Sequence, residues 1–350
     1  MTTRVRVLVK GLTPGYFALV MASGIISLGL HLDGYDLLSW VLFAVCAGAY
    51  AVLVTLNAWR FLRFREAMVG DFREPRRAFG FFTFVAGTNV LGVRAGAEGW
   101  YAVTGALLVV AGLVWLVLGY VVPWSAVLSR EERPVVAAAN GTWFIWVVAS
   151  QSTAIAAATL ETVVTDGRAG LAVLAVLSWS VGVFLYAASA VIVSLRLMLY
   201  RLNPAEFDPP YWVSMGAVAI TVVAGARIVE MDSAPMVDAT RGLIAGLSVV
   251  FWCFATWLIP VLVAAGWWRH VRRRVPLRYE ATLWSIIFPL GMYSVAGVYL
   301  GRADHLPLVE SVGSIWLWVA LGAWLVVFIA MLTSLWSALR APLRTPVHTS

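Results

Sequence analysis

Lysine is almost missing from this 350-residue chain: Lys10 is the only one, and charged residues of all kinds make up 12 % of it. With 61 % hydrophobic residues and a mean hydropathy of +0.87, the chain lies outside the composition of soluble globular domains. No lysine falls in an apolar segment, which excludes a retinal Schiff base. Histidine is as scarce: His31, His270, His305 and His348 sit at segment ends, in loops or in the tail, which excludes haem held between helices. The sequence has no phosphate-binding loop, so no ATP-driven pump, and no HExxH or Cys/His cluster, so no metalloenzyme site. Cys46 and Cys253 lie in apolar segments without metal-type spacing, and neither a disulfide nor a metal centre is expected. The chain therefore reads as no enzyme, with no cofactor. Its net charge of +7 does not signal nucleic acid, because the basic residues lie in short loops beside apolar segments.

What is present is apolar length. A helix needs about 20 mainly apolar residues to cross the hydrocarbon core, and such segments recur at 12–32, 37–62, 78–93, 100–122, 135–160, 169–199, 211–226, 243–268, 281–300 and 312–339. They predict an all-α, multi-pass protein of the cell membrane, a single transmembrane domain over 1–350 with a leader at 1–11 and a tail at 340–350. No small-residue cleavage pattern precedes the first loop, so no removable signal peptide is expected. Lys and Arg alternate sharply between the two sets of loops. One side holds Arg4, Arg6, Lys10, Arg60, Arg63, Arg65, Arg73, Arg76, Arg77, Arg130, Arg133, Arg196, Arg201, Arg269, Arg272, Arg273, Arg274, Arg278, Arg340 and Arg344; the other holds only Arg94, Arg168, Arg227, Arg241 and Arg302. Positive loops face the cytoplasm, so both termini are predicted inside.

The odd-numbered segments resemble one another. Each begins with aromatics beside Gly, Pro, Ser or Thr: Pro14-Gly15-Tyr16-Phe17, Phe79-Gly80-Phe81-Phe82, Asn140-Gly141-Thr142-Trp143-Phe144, Pro210-Tyr211-Trp212 and Ser285-Ile286-Ile287-Phe288-Pro289. The repeat is one helical hairpin long, which predicts five parallel hairpins related by an axis along the membrane normal. Small residues such as Gly24, Gly87, Gly216 and Gly297 let odd helices crowd that axis, while the Leu-, Val- and Trp-rich even helices face lipid. The odd segments carry no ionisable group at mid-depth, where a proton relay needs one. Their aromatics and hydroxyls, Phe17, Phe82, Phe144, Trp212, Ser23, Thr83, Ser150, Ser214 and Ser285, are the candidates for lining a pore, the hydroxyls by donating to an anion. For the hydroxyls, hydrogen bonding between helices is the alternative. Pro289 should bend the ninth helix and free a carbonyl, and Phe288 beside it is either a packed core aromatic or a ring that occludes the path.

Pro14-Gly15-Tyr16-Phe17-Ala18-Leu19-Val20-Met21-Ala22-Ser23-Gly24, Thr142-Trp143-Phe144-Ile145 and Trp284-Ser285-Ile286-Ile287-Phe288-Pro289-Leu290, in this order and spacing, resemble the tellurite-resistance/C4-dicarboxylate transporters. That TehA-like family includes the plant slow anion channels and the yeast malate and sulfite carriers. The resemblance covers nearly the whole chain. It implies five hairpins around a central pore, a homotrimer, and a ninth-helix phenylalanine, here Phe288, plugging the pore beside Pro289. Trp146 stands where relatives often carry Pro, and Met215-Gly216 where they often carry a proline pair. The function expected is a passive, gated conduit for chloride, nitrate or small carboxylates. The alternatives are proton-coupled export of C4-dicarboxylate, sulfite or a tellurite-related anion, with Glu161, Arg227 and Glu230 as candidate titrating or pairing groups, and a sensor or tether whose apparent pore is only packing.

Overall fold

The computed structural model describes residues 3–128, 134–232 and 234–340. Of the loop charges counted above, Arg130, Arg133 and Arg344 lie outside the described residues, as does the tail after Arg340. Among the described residues, ten helical spans are long and apolar enough to cross a membrane, the odd ones counted with the turns that lead into them. Their α-helical parts are α1 (Ala18–Leu32), α2 (Asp36–Arg63), α3 (Phe82–Ala97), α4 (Tyr101–Pro123), α5 (Phe144–Glu161), α6 (Arg168–Leu199), α7 (Val213–Val229), α8 (Pro235–Trp267), α9 (Trp284–Ala303) and α10 (Pro307–Arg340). The described residues contain no strand.

Helix ends depart from the apolar runs where capping and charge decide them. α8 starts well before its hydropathy rises, because Pro235 fits the first turn and Asp238 follows near the positive end of the helix dipole. The fifth segment starts later than its apolar run. Residues Val135–Ala138 form a separate 3-10 turn, and the Asn140 side chain accepts from the Thr142 backbone N–H. α3 continues to Ala97, so Arg94, expected in a loop, lies inside a helix and is fully buried.

Each odd helix is entered through a 3-10 turn: Pro14–Phe17, Phe79–Phe81, Gly141–Trp143, Pro209–Trp212 and Ala281–Leu283. The ninth motif is thereby out of register with the others. Its Phe288-Pro289 pair lies one turn inside α9, whereas Phe17, Phe82 and Phe144 lie at the entrance of their helices. α9 runs on as α-helix through Pro289. The proline takes away one backbone donor, that of the bond to the Ser285 carbonyl. Its ring fits against α7 because Gly216 has no side chain, since a Cβ there would lie 2.7 Å from Pro289 Cγ.

In the most apolar stretch of each odd span, 78 to 89 % of residues are buried, against 17 to 33 % in the even spans. The odd helices pack as a closed ring in the order α1, α3, α5, α7, α9 and back to α1, and each even helix covers its own odd partner from outside. Every even helix also reaches the next odd helix through one polar contact. Tyr50 Oη meets Thr88 Oγ1 at 3.0 Å, Trp115 Nε1 donates to Ser150 Oγ at 2.9 Å, and Trp179 Nε1 donates to the Thr221 carbonyl at 3.1 Å. Thr256 Oγ1 meets Tyr293 Oη at 2.8 Å, and Trp324 Nε1 donates to Ser23 Oγ at 2.9 Å. A buried N–H or O–H in a bilayer has no water to turn to, so these seams satisfy groups that would otherwise be costly.

Candidate functional site

Two cavities lie on the axis of the odd-helix ring. The first, about 220 Å³, sits where the five odd helices begin and takes lining residues from all five entrances: Gly15, Gly80, Thr142, Pro210 and Ser285, together with Arg76, Arg77, Asn140 and Asp208. The second, about 20 Å³, lies further along and is also lined by all five: Ile25 and Leu28, Asn89, Val90 and Val93, Ser152 and Ile155, Ile220 and Val223, and Met292. On α9, Ser285 lines the first and Met292 the second. Phe288, three residues on from one and four before the other, shares their helical face and lies between the cavities.

Counted from the first residue after each 3-10 turn, the positions matching Phe288 are Ala22, Ala86, Val148 and Ala217. All are fully buried, and Phe288 is 1 % exposed. Phe288 is thus the one aromatic at this position among the five odd helices.

Two features bring positive charge to the first chamber. Helix entrances direct their unpaired N–H groups and positive dipole ends toward it, and Arg76 and Arg77 line it. Both guanidiniums have partners on their other side: Arg76 pairs with Glu206 at 3.3 Å, and Arg77 with Asp71 at 3.0 Å. Asp71 also holds the buried Arg60 at 2.7 Å, which ties the short helix Pro75–Ala78, the carrier of Arg76 and Arg77, to α2. Asp208 opposes this charge. Burial pushes its carboxyl up to about 6, against the lowering influence of Arg269 and Arg76.

Most of the hydroxyls are engaged by the protein itself. Those of Thr83, Ser150, Ser152, Thr153, Ser214 and Thr221 donate to backbone carbonyls at Pro14 and Gly80, Trp146, Ala149 (from both Ser152 and Thr153), Tyr211 and Ala217. Ser23 and Ser150 further accept from tryptophans across seams. Of the nine lining candidates, Ser285 is the one that borders an axial cavity. Phe17 lies edge-on to Tyr50 and Phe84, Phe82 stacks near Phe79 and Trp146, Phe144 packs on Tyr186, and Trp212 borders a separate side cavity with Trp267. These aromatics wedge helices together because their entrances crowd, and the axis is left to smaller residues.

At the opposite ends of the odd helices, charge is paired and lies away from both cavities. The buried Glu161 meets Arg168 at 2.8 Å, Arg168 also meets Asp232, and Arg227 meets Glu230 at 2.6 Å. Arg94 donates to Ser27 and Ser39, each at 2.8 Å, and lies over the Phe43 ring. Arg76, Arg77, Asn140 and Asp208, which border the first cavity, were missed although each stands just before an odd-helix entrance; the second cavity also takes Asn89, the one carboxamide of α3.

Comparison with known proteins agrees with this architecture. The chain is 63 % identical over 149 residues to an uncharacterized membrane protein of Mycobacterium tuberculosis, covering 43 % of this chain and 76 % of that one. It is 23 % identical over 333 residues to an uncharacterized transporter of Methanocaldococcus jannaschii, covering 92 % and 93 %, and equally so over 338 residues to a second transporter of that organism. Five membrane hairpins whose odd helices close a central ring are the setting in which one further match falls into place, and from residue 11 to residue 332 the chain belongs to the voltage-dependent anion channel family.

Proposed function

We propose that the chain conducts small anions, chloride, nitrate or small carboxylates, passively along the axis of the odd-helix ring, with Phe288 as the plug and Pro289 setting its place. The observation that carries this reading is that two cavities, the first lined by Arg76 and Arg77, each take lining residues from all five odd helices or their entrances, and Phe288 lies on the α9 face between Ser285 of the first and Met292 of the second. The residues lining the second cavity include no acid, base or histidine, which favours flow down the anion's own gradient over a proton relay there. In this proposal both termini are cytoplasmic, the chamber opens to the cytoplasm, and release of anions is the kinetically favoured direction because the basic face concentrates them. On the family resemblance alone, the assembly is a homotrimer.

Electrical recording from the purified chain in planar bilayers tests the proposal. Anion currents that reverse at the anion equilibrium potential support it; their absence in both the wild type and Phe288→Ala would leave the axis as packing only. Proton-coupled export is the second reading, and Asp208, a titratable group in the chamber wall, favours it. A reversal potential that moves with the pH gradient at fixed anion concentrations would select that reading.

A further inference from the structure

The polar groups of the second axial cavity are all turned the same way. Ser152 Oγ donates to the Ala149 carbonyl at 2.8 Å and Thr153 Oγ1 to the same carbonyl at 3.0 Å. With both hydroxyl protons engaged, these oxygens only accept. The carboxamide of Asn89 must therefore present its nitrogen to them, and it does, at 3.0 Å to Ser152 and 3.1 Å to Thr153. Both amide hydrogens are then in use. The remaining atom, Asn89 Oδ1, is buried on a residue 1 % exposed and has no hydrogen-bond partner. The other lining side chains are the apolar Ile25, Leu28, Val90, Val93, Ile155, Ile220, Val223 and Met292.

A bare halide or nitrate entering this cavity loses its water and meets no donor, only the negative end of an amide dipole. A species that carries its own O–H meets a free acceptor. The volume of about 20 Å³ is room for roughly one water-sized group, hence for a single hydroxyl at a time. We infer that Asn89, held by Ser152 and Thr153, makes the second cavity selective for anions that carry a hydrogen-bond donor, such as hydrogen-oxyanions and half-protonated acids, over halides and nitrate. This rests on the proposal that anions pass along the axis, and deepens it by naming the chemical class.

Bicarbonate and nitrate are the probes, since both are planar monoanions with four heavy atoms and differ by one O–H. Their relative permeability is read from the bi-ionic reversal potential across a bilayer, where neutral carbon dioxide carries no current. In Asn89→Leu the bicarbonate-to-nitrate ratio should fall about tenfold, a factor equal to about 1.4 kcal/mol, of the order of one hydrogen bond. Asn89→Thr keeps most of the ratio, because a helical threonine donates to the carbonyl four residues back, as Thr153 does, and retains an acceptor. Ser152→Ala offers a separate route should the Asn89 variants fold poorly: it frees an Asn89 N–H, adds a donor to the cavity and lowers the ratio. Currents with a ratio that none of these substitutions alters would overturn the inference while leaving anion permeation intact. No anion current in any variant would remove the permeation reading and this inference with it.

Discussion

Trp324 and Ser23 are 301 residues apart in sequence, and the indole N–H of one lies 2.9 Å from the hydroxyl of the other. This contact closes the ring, joining α10 to α1 by the same kind of even-to-odd contact that the chain makes at its four other seams. Trp324 is also stacked on Phe328, with ring centroids 4.6 Å apart. The last helix is thereby locked in rotation against the first, which holds α1 and its entrance turn in line with the other four.

Trp324→Phe and Ser23→Ala should each lower stability, and together they should be less than additive. Interhelical hydrogen bonds in membrane proteins give a coupling of about 0.6 kcal/mol on average. A double-mutant cycle on thermal or denaturant unfolding in detergent measures it, and strict additivity would mean that the bond contributes nothing.

Phe288→Ala should raise anion flux with little loss of stability, because the ring lies between two cavities. A phenylalanine in the packed interior costs about 3 to 5 kcal/mol when cut to alanine. A variant with a strongly lowered melting temperature and no gain in current would return Phe288 to the role of core residue.

If anions pass through the chamber, Asp208 should make conduction depend on pH. Its neighbours in charge are Arg76, Arg269 and Glu280, and burial raises its carboxyl from 3.8 to about 6. Above that pH the carboxylate offsets one arginine of the chamber; protonation as pH falls through about 6 removes the offset and favours anion entry. Current should rise roughly several-fold between pH 7.5 and 5, more at low salt. In Asp208→Asn it should already be high at pH 7.5 and change little. Because the folded-state value is raised, the contribution of Asp208 to stability is fully present below about 4 and declines as pH rises through about 6.

Membrane orientation is open to direct labelling. In a background lacking Cys46 and Cys253, single cysteines at Asp166 and Asp304 should react with an impermeant maleimide added to intact cells, and those at Arg73 and Arg273 only after lysis. Reaction of position 73 from outside would reverse the proposed orientation.

The sequence alone determined the ten helices, their pairing as hairpins and the split into inner odd and outer even helices. Each follows from properties local to a segment. A span must be about 20 apolar residues long, lipid-facing helices must stay apolar all round, and odd helices that crowd one another need residues such as Gly87 and Gly216. What only the tertiary structure decided is how each helix is turned about its own axis. Ser23 and Ser150, plausible as pore hydroxyls in a linear reading, are rotated into seams because Trp324 and Trp115 need acceptors there. Arg76 and Asp208, which read as ordinary loop charges, come together in one chamber because five separate entrances converge. The orientation of the Asn89 carboxamide depends on where two hydroxyl protons of a neighbouring helix go, and that is fixed by hydrogen bonding across the packed ring rather than by any pattern along the chain.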